Sequence, residues 1–133
     1  MTDGQRTPGA AVRAYLAALN AHDPDAVAAL VADDFFNEHT SVRGTSVRGR
    51  DAYRRRLDGF LADMADLHYE IEDLVAAGEK VVVAYRMSAR WGEPQRRPFT
   101  VRGVFWFETR EGLITHRVDY RDGIDFEQQV GLR

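Results

Sequence analysis

Asn37 and His39 stand two residues apart in the stretch DDFFNEHT, and His116, Val118, Tyr120 and Asp122 recur at the same spacing in THRVDYRD. In an extended strand alternate side chains share a face, so each set projects to one side of a sheet. An imidazole and a carboxylate meeting in one cavity can exchange a proton near neutral pH, and an amide beside them can orient a carbonyl or hydroxyl. On the first stretch the period of two sets Phe35, Asn37 and His39 against Phe36, Glu38 and Thr40. On the second it sets His116, Val118, Tyr120 and Asp122 against Arg117, Asp119 and Arg121. The latter set is wholly charged and reads as the water-facing side. The expected interior therefore gathers Asn37, His39, His116, Val118, Tyr120 and Asp122. A bulge would reverse the parity of either strand. Singly, such groups are more often hydrogen-bonded structure than chemistry; their convergence is what points to a pocket.

Other chemistries find little support. The chain has no cysteine, which excludes disulfides, thiolate nucleophiles and Cys-based metal sites. No His-x-His or HExxH spacing suggests a metal, and no Gly-x-Ser-x-Gly elbow presents a serine nucleophile. Without a glycine-rich phosphate loop or dinucleotide fingerprint, no cofactor is expected. His22 lies in an interhelical turn and His68 at a strand start, so both rank below His39. The formal net charge is -3, and the arginine runs at 54–56 and 96–97 sit among acidic residues, which gives no footprint for nucleic acid. MTDGQRTPG lacks an apolar leader, and no segment approaches the roughly 18 apolar residues that cross a bilayer. A cytoplasmic protein without membrane contact is the expectation.

The elements that must position these groups follow from periodicity. With 133 residues and 44% hydrophobic content, the chain is expected to form a single domain, 1–133, with a sizeable core. TPGAAVRAYLAALNAHD predicts a helix capped by Thr7, with Val12, Leu16 and Leu19 on one face and Tyr15 beside them. DPDAVAALVADD predicts a second helix capped by Asp23, and GRDAYRRRLDGFLADM a third that buries Tyr53, Leu57, Phe60, Leu61 and Met64. From residue 67 the β-branched and aromatic stretches LHYEIEDLVAAG, EKVVVAYRMSARW, FTVRGVFWFETR and LITHRVDYRD predict strands. IDFEQQVGLR is expected along the sheet edge. Three helices followed by an antiparallel sheet make an α+β domain, and a curved sheet under helices leaves a cone-shaped cavity. Tyr85, Trp91, Phe105 and Trp106 are its expected apolar walls.

AYLAALNAHDPDAVAALVADDFFNEHT, RGRDAYRRRL and RVDYRDGIDFEQQVG resemble the nuclear transport factor 2-like superfamily, and most of all its SnoaL-like polyketide cyclase branch. The resemblance covers nearly the whole chain. It implies a cone-shaped, curved antiparallel sheet wrapped over three N-terminal helices, commonly dimeric through the sheet. The first stretch is also similar to ketosteroid isomerase: Tyr15 falls on that family's oxyanion-hole tyrosine and His39 on its carboxylate base, but Phe105 stands near its second donor. Limonene-epoxide hydrolases offer a third likeness. Asp122 resembles their water-activating Asp, but no acid occurs between Lys80 and Gly92. In SnoaL-like cyclases an Asp in the position of Asp122 is the acid/base of an aldol condensation. Together with the strand faces, the resemblance leads to the expectation of Asp122 and His39 as the catalytic pair, with Tyr15, Asn37, Tyr85, Trp91, Phe105, Trp106, His116, Val118 and Tyr120 around a small apolar or polyketide-like molecule. The expected reaction is cofactor-free proton transfer: aldol cyclisation, isomerisation or epoxide hydrolysis. The competing expectations are a non-catalytic binder of a small apolar ligand and a structural dimer with a filled cavity.

Overall fold

Thr7 Oγ1 accepts the amide of Ala10 at 3.2 Å and Pro8 takes the first helical position, which starts α1 (Pro8–Asn20). Val12, Tyr15, Leu16 and Leu19 form its buried face. Each leucine so buried stabilises the fold by about 1.5–3 kcal/mol. Asp23 caps α2 (Pro24–Ala29) through the amide of Ala26 at 3.1 Å. The structure, a computed structural model, describes residues 5–41 and 44–132. The first four residues, part of the stretch read for a leader, lie outside the described residues.

Next come β1 (Val31–His39), the two-residue β2 (Val47–Arg48), α3 (Arg50–Asp63), β3 (Met64–Ala77), β4 (Lys80–Trp91), β5 (Arg97–Arg110), β6 (Leu113–Arg121) and α4 (Gly123–Gln129). The strands form one curved, unclosed sheet in the order β2-β1-β6-β5-β4-β3. The fold is α+β, as the sequence implies, with one departure: β1 pairs with β6 in parallel, whereas the other pairings are antiparallel. A hairpin forces antiparallel pairing, but the chain between β1 and β6 is long enough to return in either direction.

The inner face of the sheet carries Val81, Val83, Tyr85 and Met87 of β4 and Val101, Phe105 and Phe107 of β5, all buried in one core with the apolar faces of the helices. Side-chain hydrogen bonds fix the helices to it. Asn20 accepts the Tyr69 amide at 2.7 Å and donates to the Tyr69 carbonyl at 3.0 Å. Arg50 holds the Val31 carbonyl through two nitrogens, at 2.6 and 3.0 Å.

The parity of β6 differs from the sequence expectation, and one residue causes it. Arg110 faces Leu113 and Thr109 faces Ile114, a register that would set Phe107 opposite His116. A bulge intervenes: Glu108 faces His116, leaving Thr115 as the extra residue, whose hydroxyl donates to the Glu108 carbonyl at 3.2 Å. Beyond it Phe107 faces Arg117 and Phe105 faces Asp119, so Arg117, Asp119 and Arg121 turn inward.

The C-terminal segment does not run along a sheet edge. Gln129 bonds the backbone of Thr100 through both amide atoms at 2.8 Å, which seats α4 on β5. Phe126 meets the rings of Phe99 and Trp91 at 4.9 and 5.5 Å, burying the helix's apolar face at the open end of the sheet. Among the described residues no helix is long and apolar enough to cross a membrane, and no group of His, Asp and Glu side chains is arranged to hold a metal ion.

Candidate functional site

Phe35 is fully buried, which sets Asn37 and His39 on the same inner face of β1. β6 runs beside it in parallel and brings Arg117 and Asp119 to that interior, 6% and 5% exposed. Burying these charges is costly unless they are paired, and the surroundings supply partners. Tyr85 donates to Asp119 Oδ1 at 2.6 Å, while Asp119 Oδ2 lies 3.7 Å from His39 Nδ1. Arg117 lies over the Phe105 ring at 4.8 Å and donates to the Tyr15 hydroxyl at 2.8 Å.

These contacts fix proton positions. Nδ1 of His39 faces a carboxylate and so carries the hydrogen of the neutral ring, leaving the Nε2 lone pair toward Asn37 Nδ2 at 3.4 Å. Burial and the Arg117 charge push the His39 pKa down to about 4, against the opposing pull of Asp119; Arg121 and Arg56 add to the lowering. His39 is therefore an uncharged base at neutral pH.

The tyrosines form a directed chain. A guanidinium only donates, so the Tyr15 oxygen accepts from Arg117. Tyr15 and Tyr53 hydroxyls are 2.5 Å apart, and burial holds both above the ordinary tyrosine pKa, so both keep their protons. Were Tyr53 the donor, the Tyr15 proton would be buried without an acceptor. Tyr15 therefore donates to Tyr53, whose own proton is left for a partner in the cavity it lines.

That cavity, about 50 Å³, is lined by Leu19, Asn37, His39, Tyr53, Leu57 and Arg117, with Arg56 and Phe60 at its rim. It has room for little more than one water-sized group. Asn37 Oδ1 and Arg117 Nε are buried there without partners, one acceptor and one donor. His39, Arg56 and Phe60 also line an open cleft of about 410 Å³ with Met64, Trp91, Arg121 and Phe126. The cleft has the size of an ordinary small-molecule site, and the inner cavity suits one functional group of its occupant.

The structure brings His39 and Asn37 together with Tyr15, Tyr85 and Phe105 in one interior, and it places Trp91 in the cleft wall. It does not bring the rest there. His116 and Trp106 lie on the outer face, in ring contact at 5.3 Å, and His116 bonds Glu38 at 2.9 Å. Val118 pairs with Trp106 on that outer side, and Tyr120 is half exposed. Asp122 is exposed at the N-cap of α4, accepting the amides of Ile124 and Asp125. The Thr115 bulge accounts for the displacement of His116, Val118 and Tyr120, and the end of β6 at Arg121 frees Asp122 to cap.

Sequence reasoning missed Asp119 and Arg117, read as solvated, and took Tyr53 only as core. Two glycines carried a signal. A Cβ on Gly103 would sit 2.5 Å from the Tyr85 hydroxyl, so this gap in an otherwise apolar strand admits the phenol that holds Asp119. A Cβ on Gly44 would sit 2.3 Å from His39 Cβ, so Gly44 backs the imidazole.

The chain's relatives agree with this architecture. A family model described as a SnoaL-like domain matches residues 12–117. A Catenulispora acidiphila protein with a ketosteroid isomerase-like fold, in complex with trimethylamine, is 24% identical with a TM-score of 0.83, over 92% of this chain and 93% of its own. A Xanthomonas campestris protein provisionally named a polyketide cyclase is 25% identical with a TM-score of 0.77, over 92% and 96%. TerC, co-crystallized with polyporic acid, is 17% identical with a TM-score of 0.80, over 94% and 99%. No curated protein matches the chain.

Proposed function

The chain belongs to the SnoaL-like domain family, and from that premise we propose that it is a cofactor-free acid/base enzyme acting on a small carbonyl compound, in the manner of a cyclase or isomerase. The observation that carries the proposal is His39, a neutral imidazole whose Nδ1 faces Asp119 and whose Nε2 lone pair, beside Asn37 Nδ2, lies at the junction of cavity and cleft. His39 Nε2 takes a proton from the carbon next to the substrate carbonyl. The C–H electron pair forms the enolate double bond, and the carbonyl pair moves onto oxygen. Tyr53 O–H donates to that oxygen in the inner cavity, with Arg117 charge behind it through Tyr15. Returning the proton to a different carbon isomerises the substrate; attack of the enolate on a second carbonyl closes a ring, and the alkoxide so formed takes the proton back from His39. Asp119 holds the imidazole and offsets the imidazolium charge.

Asp119 here takes the part that the family resemblance assigns to Asp122, on the ground that Asp119 is buried beside His39 and Asp122 is not. The small ligands of two structural neighbours support a ligand in the cleft. The proposal also includes a cytoplasmic homodimer joined through the outer sheet face.

The test is exchange of α-protons of enolisable ketones in heavy water, followed by proton NMR. His39→Gln is expected to slow exchange by about 10²–10⁴ and Asp119→Asn by less. If the wild type binds ketones yet exchanges them no faster than buffer, the reading becomes that of a ligand-binding protein.

A further inference from the structure

Several arginines elsewhere on the protein sit on carboxylates: Arg50 on Asp33, Arg54 on Asp25 and Asp58, Arg102 on Glu72, Arg110 on Asp34. Those around His39 do not. Arg117, Arg121 and Arg56 all reach this site, and among the described residues none of them forms an ion pair. Arg117 Nε and Arg121 Nε are both buried without an acceptor. For acceptors Arg121 has the Met87 sulfur, at 3.3 Å, beside the Phe126 ring 6.0 Å away, and Arg56 the Thr45 carbonyl, at 2.6 Å. An arginine on a wet surface needs no counterion, but donors removed from water do.

The opposing charge is small. Asp119 is the only buried carboxylate among the described residues, and it is engaged by Tyr85 and His39. Asp63 is exposed at the cleft mouth. Burial first, and then the charges of Arg117, Arg121 and Arg56, depress the basicity of His39.

We infer that the substrate is an anion: a carboxylate or acidic enol on a flat apolar body, with its charged group between Arg121 and Arg56 and its body against Trp91, Met64 and Phe126. The inference rests on the cleft being the substrate site and deepens the reading above by naming the substrate class. An anion in the cleft supplies an acceptor for the orphaned Arg121 Nε–H, and its aryl body matches a cleft walled by rings and a thioether. It also stabilises the imidazolium that forms when His39 takes a proton.

Binding of 2-naphthoate and of its neutral isostere 2-naphthamide, measured by calorimetry with His39 ring resonances as the reporter of location, tests this without turnover. Naphthoate is expected to bind about 10- to 100-fold more tightly than the amide. Arg121→Gln should remove most of that preference. Arg56→Gln, at an exposed position that leaves the fold intact, should reduce it as well. Equal or tighter binding of the amide overturns the anion assignment while leaving the cleft as a ligand site. If neither probe binds or moves His39, the cleft reading falls together with the inference.

Discussion

His39 is the residue on which chemistry and stability meet. Its folded pKa, about 4, lies below the unfolded value near 6.5, so the unfolded chain takes up the proton first as pH falls. Its neutral burial therefore weighs nothing against folding above about pH 6.5, and stability is lost as pH falls from there toward 4, levelling off below. Chemical denaturation across that interval should show a steeper decline for wild type than for His39→Gln; parallel curves would remove the imidazole from the interior. By the same pKa, kcat/KM for proton abstraction stays level from pH 8 down to about 5 and drops near 4. Asn37 and His39 were legible in the sequence because Phe35 marks their face. Asp119 was not, since an Arg-Asp-Arg alternation ordinarily faces water, and its burial depends on Tyr85 donating to Asp119 and Tyr15 accepting from Arg117.

At the scale of elements, β5 positions the site by what it lacks. Gly103 faces Tyr85 on β4 and Arg121 on β6, and its missing side chain makes space for the phenol. Gly103→Ala should drive Tyr85 off Asp119 and destabilise the protein by about 1–3 kcal/mol. A Tyr85→Leu background should absorb much of that cost, a coupling readable in a double-mutant cycle. Full additivity of the two substitutions would mean that the glycine serves another purpose. Helices α1 to α3, the Thr7 and Asp23 caps and the strand-rich second half were readable from periodicity and capping residues. The direction of β1 against β6 and the seat of α4 were not, because both depend on contacts distant in sequence.

For the whole molecule, charge is unevenly placed: an acidic chain encloses a cationic site, so its exterior repels the anions its interior attracts. The outer sheet face carries Val82, Val104 and Tyr120, each 36–50% exposed, beside Trp106 and Val118. Such a patch fits the proposed dimer. Sedimentation is expected to give a dimer for wild type and a monomer for Tyr120→Glu, and a monomeric wild type would discard it. The two faces of β6 are complete alternatives, one cationic and acidic, the other built of His116, Val118 and Tyr120, and Thr115 alone selects between them. In genetic terms, gain or loss of a single in-frame codon in this hairpin exchanges the whole polar lining of the pocket. Lineages with this fold have by that route a way to change chemistry without passing through a series of point substitutions, and an alignment of relatives column by column would pair residues that point in opposite directions.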